Sequence, residues 1–223
     1  LRRPAWIVAA TVLLAVCHIT FKQLFALADL PRFAAYGMAE RTLWQVLLGG
    51  SGFLLVWRTP LVTAGRVLGW LALAHFVAFT LLLHNPLWNV QAVGPLPVLN
   101  LLLPAYGAAT ALVLWLRPTT PARWMSDAAA MLLLAVGALS LLRQAFSGTI
   151  LLQPMGAGED LLRSLLAITL ALAYLAWGAR TGQRSWRVGS LVLMLGAVLK
   201  VFVLDAAALD GLARIGSFFA LGV

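Results

Sequence analysis

The chain has 223 residues, of which 62% are hydrophobic and only 10% charged, with a formal net charge of +9. A soluble domain has roughly 45–50% apolar and about 25% charged residues, and at this size most of its residues touch water, so a soluble fold is excluded and a bilayer is expected as the solvent. Net positive charge in a soluble domain would point to nucleic acid, but these arginines sit in short connections between apolar runs, which argues against that partner. The single cysteine, Cys17, lies inside an apolar run, which excludes an intrachain disulfide or a cysteine metal cluster.

In chain order the apolar runs are Trp6–Ala28, Thr42–Trp57, Val67–Leu83, Val98–Leu116, Met125–Leu142, Leu161–Gly178 and Val188–Leu204, followed by a run that opens at Gly211. The first seven are 16 to 23 residues long, as a helical span requires. The last reaches Val223 after 13 residues, short of the roughly 20 needed to cross. The runs are continuous rather than alternating, which favours helices over a barrel. Turn-type punctuation separates them: Arg58-Thr59-Pro60, Asn85-Pro86, Gly94-Pro95-Leu96-Pro97, Arg117-Pro118, Gly156-Ala157-Gly158 and Thr181-Gly182. The expected fold is all-α, a polytopic transmembrane bundle of about eight helices with the last one truncated. The chain opens at Leu1-Arg2-Arg3 without an initiator Met, and with the short last run this predicts a piece of a longer protein. No small-residue cleavage pattern follows the first run, so it is not expected to be a signal peptide.

Lys and Arg in alternate connections set the expected orientation. One side collects Arg2, Arg3, Arg58, Arg66, Arg117, Arg123, Arg180, Arg184 and Arg187; the other holds Arg32, Arg41, Arg143, Arg163 and Arg214 together with Asp29, Glu40, Glu159, Asp160, Asp205 and Asp210. The richer side is expected in the cytoplasm, with the N-terminus. Trp6, Trp57, Trp70, Trp115, Trp124, Trp177 and Trp186 fall at that side and Trp44 and Trp88 near the other, with none in mid-span, as an interfacial aromatic belt predicts.

Charged residues within a span are functional candidates by default. Lys22 and Lys200 belong to no connection, and His18 stands one helical turn before Lys22. A lysine near a helix end can also simply snorkel to water. Lys22, Arg143, Lys200 and Arg214 all fall at the predicted outer ends of helices, where Asp205, Asp210, Glu159 and Asp160 also gather. Such a set forms either a basic pocket for an anionic headgroup or phosphate-bearing substrate, or a lattice of ion pairs locking helix ends. Pro104 cannot donate to the carbonyl of Asn100, so a kink is expected there, serving either a binding site or packing. Gly49, Gly50 and Gly52 predict close helix contact. His75 is expected to be a neutral mid-helix residue, with no intramembrane carboxylate nearby to support a proton relay. No phosphate loop, metal-ligand spacing or nucleophile with a base is present in the pattern, and no cofactor is expected.

Lys200-Val201-Phe202-Val203-Leu204-Asp205, then Leu209-Asp210-Gly211-Leu212, Arg214-Ile215 and Ser217-Phe218, resemble the end of bacterial multi-pass proteins classed as domain of unknown function 2339. Asn85-Pro86-Leu87-Trp88, Gly94, Pro97, Asn100 and Tyr106-Gly107 are similar to the same family's middle section, as are Arg143-Gln144-Ala145-Phe146, Gly148, Glu159 and Ser164. The similarity covers about residues 75 to 223; the first 70 match in hydropathy alone. It implies a longer parent in a bacterial inner membrane and marks Asn100, Arg143, Lys200, Asp205 and Arg214 as motif positions, while supplying no activity.

Three readings follow. The first is transport or lipid handling through a periplasm-facing pocket drawn from His18, Lys22, Asn100, Arg143, Lys200, Asp205 and Arg214. The second is a non-catalytic scaffold packed against membrane lipids and other subunits or the rest of its own chain. The third is an enzyme on a lipid-linked substrate using Asp205, Asp210, Glu159 or Asp160 as base.

Overall fold

A computed structural model describes residues 2–117 and 122–202. Seven α-helices account for most of them: α1 Arg2–Phe25, α2 Leu30–Arg58, α3 Val62–His75, α4 Leu102–Leu116, α5 Arg123–Ser147, α6 Ala157–Thr181 and α7 Arg184–Lys200. A π-helical segment, Phe76–Leu83, continues α3 without a break. Among the described residues there is no β-strand, only an isolated antiparallel pairing of Ala92 with Ile150. Four helical rods are long and apolar enough to cross a membrane: Ala5–Phe25, Val62–Leu83, Arg123–Ser147 and Gly158–Thr181. Each of the seven full apolar runs thus overlaps a helix among the described residues. The eighth run, with Asp205 and Arg214, lies outside the described residues.

Two of the helix starts that differ from the hydropathy reading have a local reason. α2 begins twelve residues before the run Thr42–Trp57 (42 minus 30), because Asp29 caps it, its carboxylate accepting from the Arg32 N–H at 2.8 Å, and Pro31 fits the first turn. At 29 residues α2 is roughly 43 Å long at 1.5 Å per residue, so its first turns carry Glu40 and Arg41 as part of the rod rather than as a loop. α4 begins at Leu102, four residues after the run's first residue. Pro104 therefore sits in a first helical turn, where its missing N–H has no intrahelical acceptor to lose. The expected mid-helix kink is replaced by a helix start.

The described residues group into two compact units, one drawn from 2–117 and 143–153, the other from 122–142 and 154–202, with α5 contributing to both. In the first unit α2 packs mainly on α3. The contact is closest at Gly52 and Gly65, where a Cβ on either would come within 2.6 Å or 2.5 Å of the other's carbonyl oxygen. Gly49 faces Leu112 at 3.1 Å, whereas Gly50 faces open space. Trp44, Leu48, Ala72 and Leu112 form the core beside this seam, flanked by Leu14, Phe21, Leu68 and Trp115. In the second unit α6 packs on α7, with the Tyr174 hydroxyl donating to the Met131 carbonyl at 2.7 Å and the Ser185 hydroxyl to Asp127 at 2.6 Å. Large apolar side chains not covered by protein run along every rod, among them Trp6, Leu13, Leu47, Trp70, Leu82, Leu132, Leu172 and Leu195, as contact with hydrocarbon demands. Trp44 and Trp186 depart from the belt pattern: both are buried in helix contacts.

Candidate functional site

The polar residues singled out in the sequence separate into three local settings. The first is a loop lock. Asn100 donates to the Gln144 carboxamide oxygen, and its own oxygen accepts from the Leu102 N–H at 2.8 Å, capping α4. Gln144 in turn donates to the carbonyls of Gly94 and Leu96 at 2.8 and 3.0 Å. Gly94 has φ of +115° with the Asn100 Cβ 3.4 Å from where its own would stand, a backbone only glycine adopts without strain. Arg143, buried, donates from Nε to the Leu151 carbonyl at 2.8 Å and from Nη2 to that of Gln153. Gln144, held by Asn100, and Arg143 thus fix the connections 84–101 and 148–156 by satisfying backbone carbonyls.

The second setting belongs to the other unit. Lys200 donates to Asp160 at 3.0 Å and to the Ser164 hydroxyl at 2.9 Å, and Arg163 pairs with the buried Glu159 at 2.8 Å. Glu159 and Asp160 are thereby engaged as ion-pair partners. Lys200 also borders an apolar cavity of about 820 Å³ between α5, α6 and α7, which Trp124 and Arg184 border as well.

The third setting holds His18 and Lys22 and is the most open chemically. A cavity of about 460 Å³ is lined by Lys22 from α1, Glu40 and Arg41 from α2, His75 at the junction of α3 with its π-helical continuation, and His84. Ile19, Leu27, Phe33 and Phe79 supply its apolar wall. Arg41 is held from one side: Nη2 donates to the Gln91 carboxamide oxygen at 2.8 Å and to the His84 carbonyl at 3.4 Å, and the guanidinium lies over the Phe33 ring, 5.4 Å from its centroid. Gly37 makes room for this arrangement, since a Cβ there would stand 3.1 Å from both Arg41 Nη1 and the Gln91 oxygen. Arg41 is 3% exposed, yet its Nε and Nη1 have no hydrogen-bond partner; Glu40, 2% exposed, likewise has an unpartnered Oε1. Buried polar groups are nearly always satisfied, so a concentration of unmet donors and acceptors around one cavity is a binding-site signature. His18 stands just behind this wall, its ring 5.9 Å from that of His75 and 4.7 Å from that of Trp44. Burial first, then the charges of Arg41 and Lys22, hold the His84 imidazole below its ordinary value of 6.5. His84 is consequently neutral at pH 7.

Of the candidates expected to share one pocket, Lys22 lines this cavity and His18 adjoins it, Asn100 and Arg143 serve the loop lock, and Lys200 belongs to the other unit. Glu40, Arg41, His75 and His84 were not read from the sequence as a set. Glu40 lines the same cavity as His75.

The whole chain, residues 1–223, matches the model of the family described as predicted membrane protein, DUF2339, and the chain belongs to that family. The match includes the first 70 residues, where similarity had been visible in hydropathy alone. No curated protein and no solved structure matches the chain.

Proposed function

We propose that this member of the DUF2339 family handles an anionic amphiphile, a lipid or envelope substrate carrying a phosphate or similar headgroup, in the cavity between α1, α2 and α3. The observation that carries the reading is Arg41, buried, oriented by Gln91 and Phe33, and left with two unpartnered nitrogens on a cavity wall. Lys22 adds a second cation, and the charge-assisted bonds these two offer are the strong ones available to an anion. Ile19, Leu27, Phe33 and Phe79 offer an apolar surface beside it, the combination a headgroup with an acyl tail requires. The excess of Lys and Arg in the connections next to the N-terminus, after α2, after α4 and after α6 supports a cytoplasmic N-terminus in a bacterial inner membrane, with this cavity opening to the periplasm.

Membrane lipids are the proposed partners, and α1, whose apolar side chains are almost all uncovered, offers a face to further membrane subunits or to additional helices of a longer chain. The scaffold reading is the alternative, and the close contact at Gly52 and Gly65 is what it expects of small-residue faces.

Titrating the purified chain with dihexanoyl phosphatidylglycerol tests the proposal. Binding that falls at least tenfold in Arg41→Gln and in Lys22→Gln, with helicity retained, is expected; binding unchanged in both would overturn it.

A further inference from the structure

Resting on that ligand reading, we infer that anion binding in the α1–α3 cavity is coupled to uptake of a proton by a cluster of His18, His75 and Glu40. The three come from three helices, and each presents a buried atom without a partner: His18 Nδ1, His75 Nδ1 and Glu40 Oε1. His75 and Glu40 line the cavity together, and His18 reaches His75 ring to ring at 5.9 Å. His75 ends α3 where the helix widens to the π form, and the next residue's N–H is shared between the Ala72 and Leu73 carbonyls. Such π segments recur at functional sites.

The sign of the coupling follows from charge alone. The other charged or titratable groups facing the cavity are Lys22, Arg41 and His84. In the empty site the two cations oppose an additional positive charge on either histidine and favour Glu40 as a carboxylate. A negative headgroup seated against them reverses both effects: it attracts an imidazolium at His75 or His18, and it repels the Glu40 carboxylate. Whichever of the three takes the proton, the anion promotes its arrival, and in a medium of low dielectric that interaction is weakly screened. The proton is supplied by the acid form of the buffer through water: one bond to hydrogen breaks in the buffer acid, one N–H or O–H bond forms at the site, and no other bond changes. Linkage is reciprocal, so protonation must tighten anion binding by the same factor that the anion favours protonation.

Isothermal titration of the full chain in zwitterionic nanodiscs tests this at pH 7, in two buffers of different ionisation enthalpy. The probes are dihexanoyl phosphatidylglycerol and, separately, inorganic phosphate, so that a lipid headgroup is distinguished from a free anion by which one binds. A buffer-dependent enthalpy is expected, together with an affinity that tightens up to about tenfold per unit fall in pH where one whole proton is taken up. His75→Gln is expected to bind with a flatter pH slope; His18→Gln and Glu40→Gln report the other two positions should that variant misfold. Clear binding with identical enthalpy in both buffers overturns the coupling and leaves the ligand reading intact. Absence of binding by either probe overturns the ligand reading, and the coupling with it. Full buffer dependence persisting in all three variants places the proton elsewhere and also refutes the assignment.

Discussion

Replacing Gly52 by alanine tests the closest helix contact in the first unit. The added Cβ would stand 2.6 Å from the Gly65 carbonyl oxygen, 3.1 Å from the Gly69 nitrogen and 3.1 Å from the Leu68 Cβ. Two of those neighbours are backbone atoms and cannot rotate away. Reaching even 3.0 Å, below which real Cβ contacts essentially never fall, requires the helices to part by 0.4 Å (3.0 minus 2.6). Overpacking of this kind costs about 1–3 kcal/mol, with rigid backbone placing it toward the upper end, while alanine in place of glycine in a helix returns about 1 kcal/mol. The net expectation is a loss of about 1–2 kcal/mol for Gly52→Ala. Gly50→Ala, two residues away and facing open space, keeps the propensity gain without the clash, so its effect should be zero or stabilising. Reversible unfolding in mixed micelles, with SDS as denaturant, measures both. Gly65→Ala meets the Gly52 carbonyl at 2.5 Å and should behave like Gly52→Ala. The double variant should lose less than the sum, because helices already parted accept the second methyl more easily. Equal stability of Gly50→Ala and Gly52→Ala would refute the close-contact argument.

Four further outcomes are expected. Tyr174→Phe removes the hydrogen bond to the Met131 carbonyl and should destabilise the second unit by about 0.5–1.5 kcal/mol in the same unfolding assay. Arg143→Gln should leave the rods intact but accelerate hydrogen exchange in the connection 148–156, whose carbonyls at Leu151 and Gln153 it no longer reaches. His84 is held below 6.5 in the fold, so as pH falls through 6.5 the unfolded chain gains a proton that the folded one resists, and stability declines; His84→Gln should flatten that decline, and an unchanged pH slope would exclude His84 as its source. For orientation, single cysteines at Ala28 and Gly182 in a Cys17→Ala background should label and not label, respectively, with an impermeant maleimide applied to the periplasmic face; the opposite pattern reverses the assignment.

Hydropathy located the helices because a long apolar segment satisfies its backbone internally, so each of the seven full apolar runs overlaps a helix among the described residues. Helix starts were less legible where short polar signals outweigh hydropathy. Asp29 and Pro31 start α2 well before its apolar stretch, and that shift turns Glu40 and Arg41 from apparent loop charges into cavity walls. The site was legible only in part: His18 and Lys22 stood out as polar residues within an apolar run, one turn apart. Arg41 with Gln91, and Asn100 with Gln144, are pairings across 50 and 44 residues, and no periodicity within a helix encodes them. Asn100 and Arg143 stood out for their polarity, and in the fold each has local partners, Asn100 the Gln144 carboxamide and Arg143 the carbonyls of Leu151 and Gln153.

The change of winding at His75 has a consequence for reading the helix that carries it. An α-helix advances about 100° per residue, and a stretch bonded i to i+5 advances less, so Val62–His75 and Phe76–Leu83 do not share one helical wheel. A scan of substitutions along this rod should show a jump in phase after residue 75. Deleting one residue from the wider stretch should restore the tighter winding without breaking the rod, and because the wider stretch advances less per residue, the tighter winding makes up most of the lost angle, so that His84 turns by well under the roughly 100° of an ordinary helical deletion. The fold therefore contains a place where chain length can change by one while the rod, and most of the facing of the residues beyond it, survive.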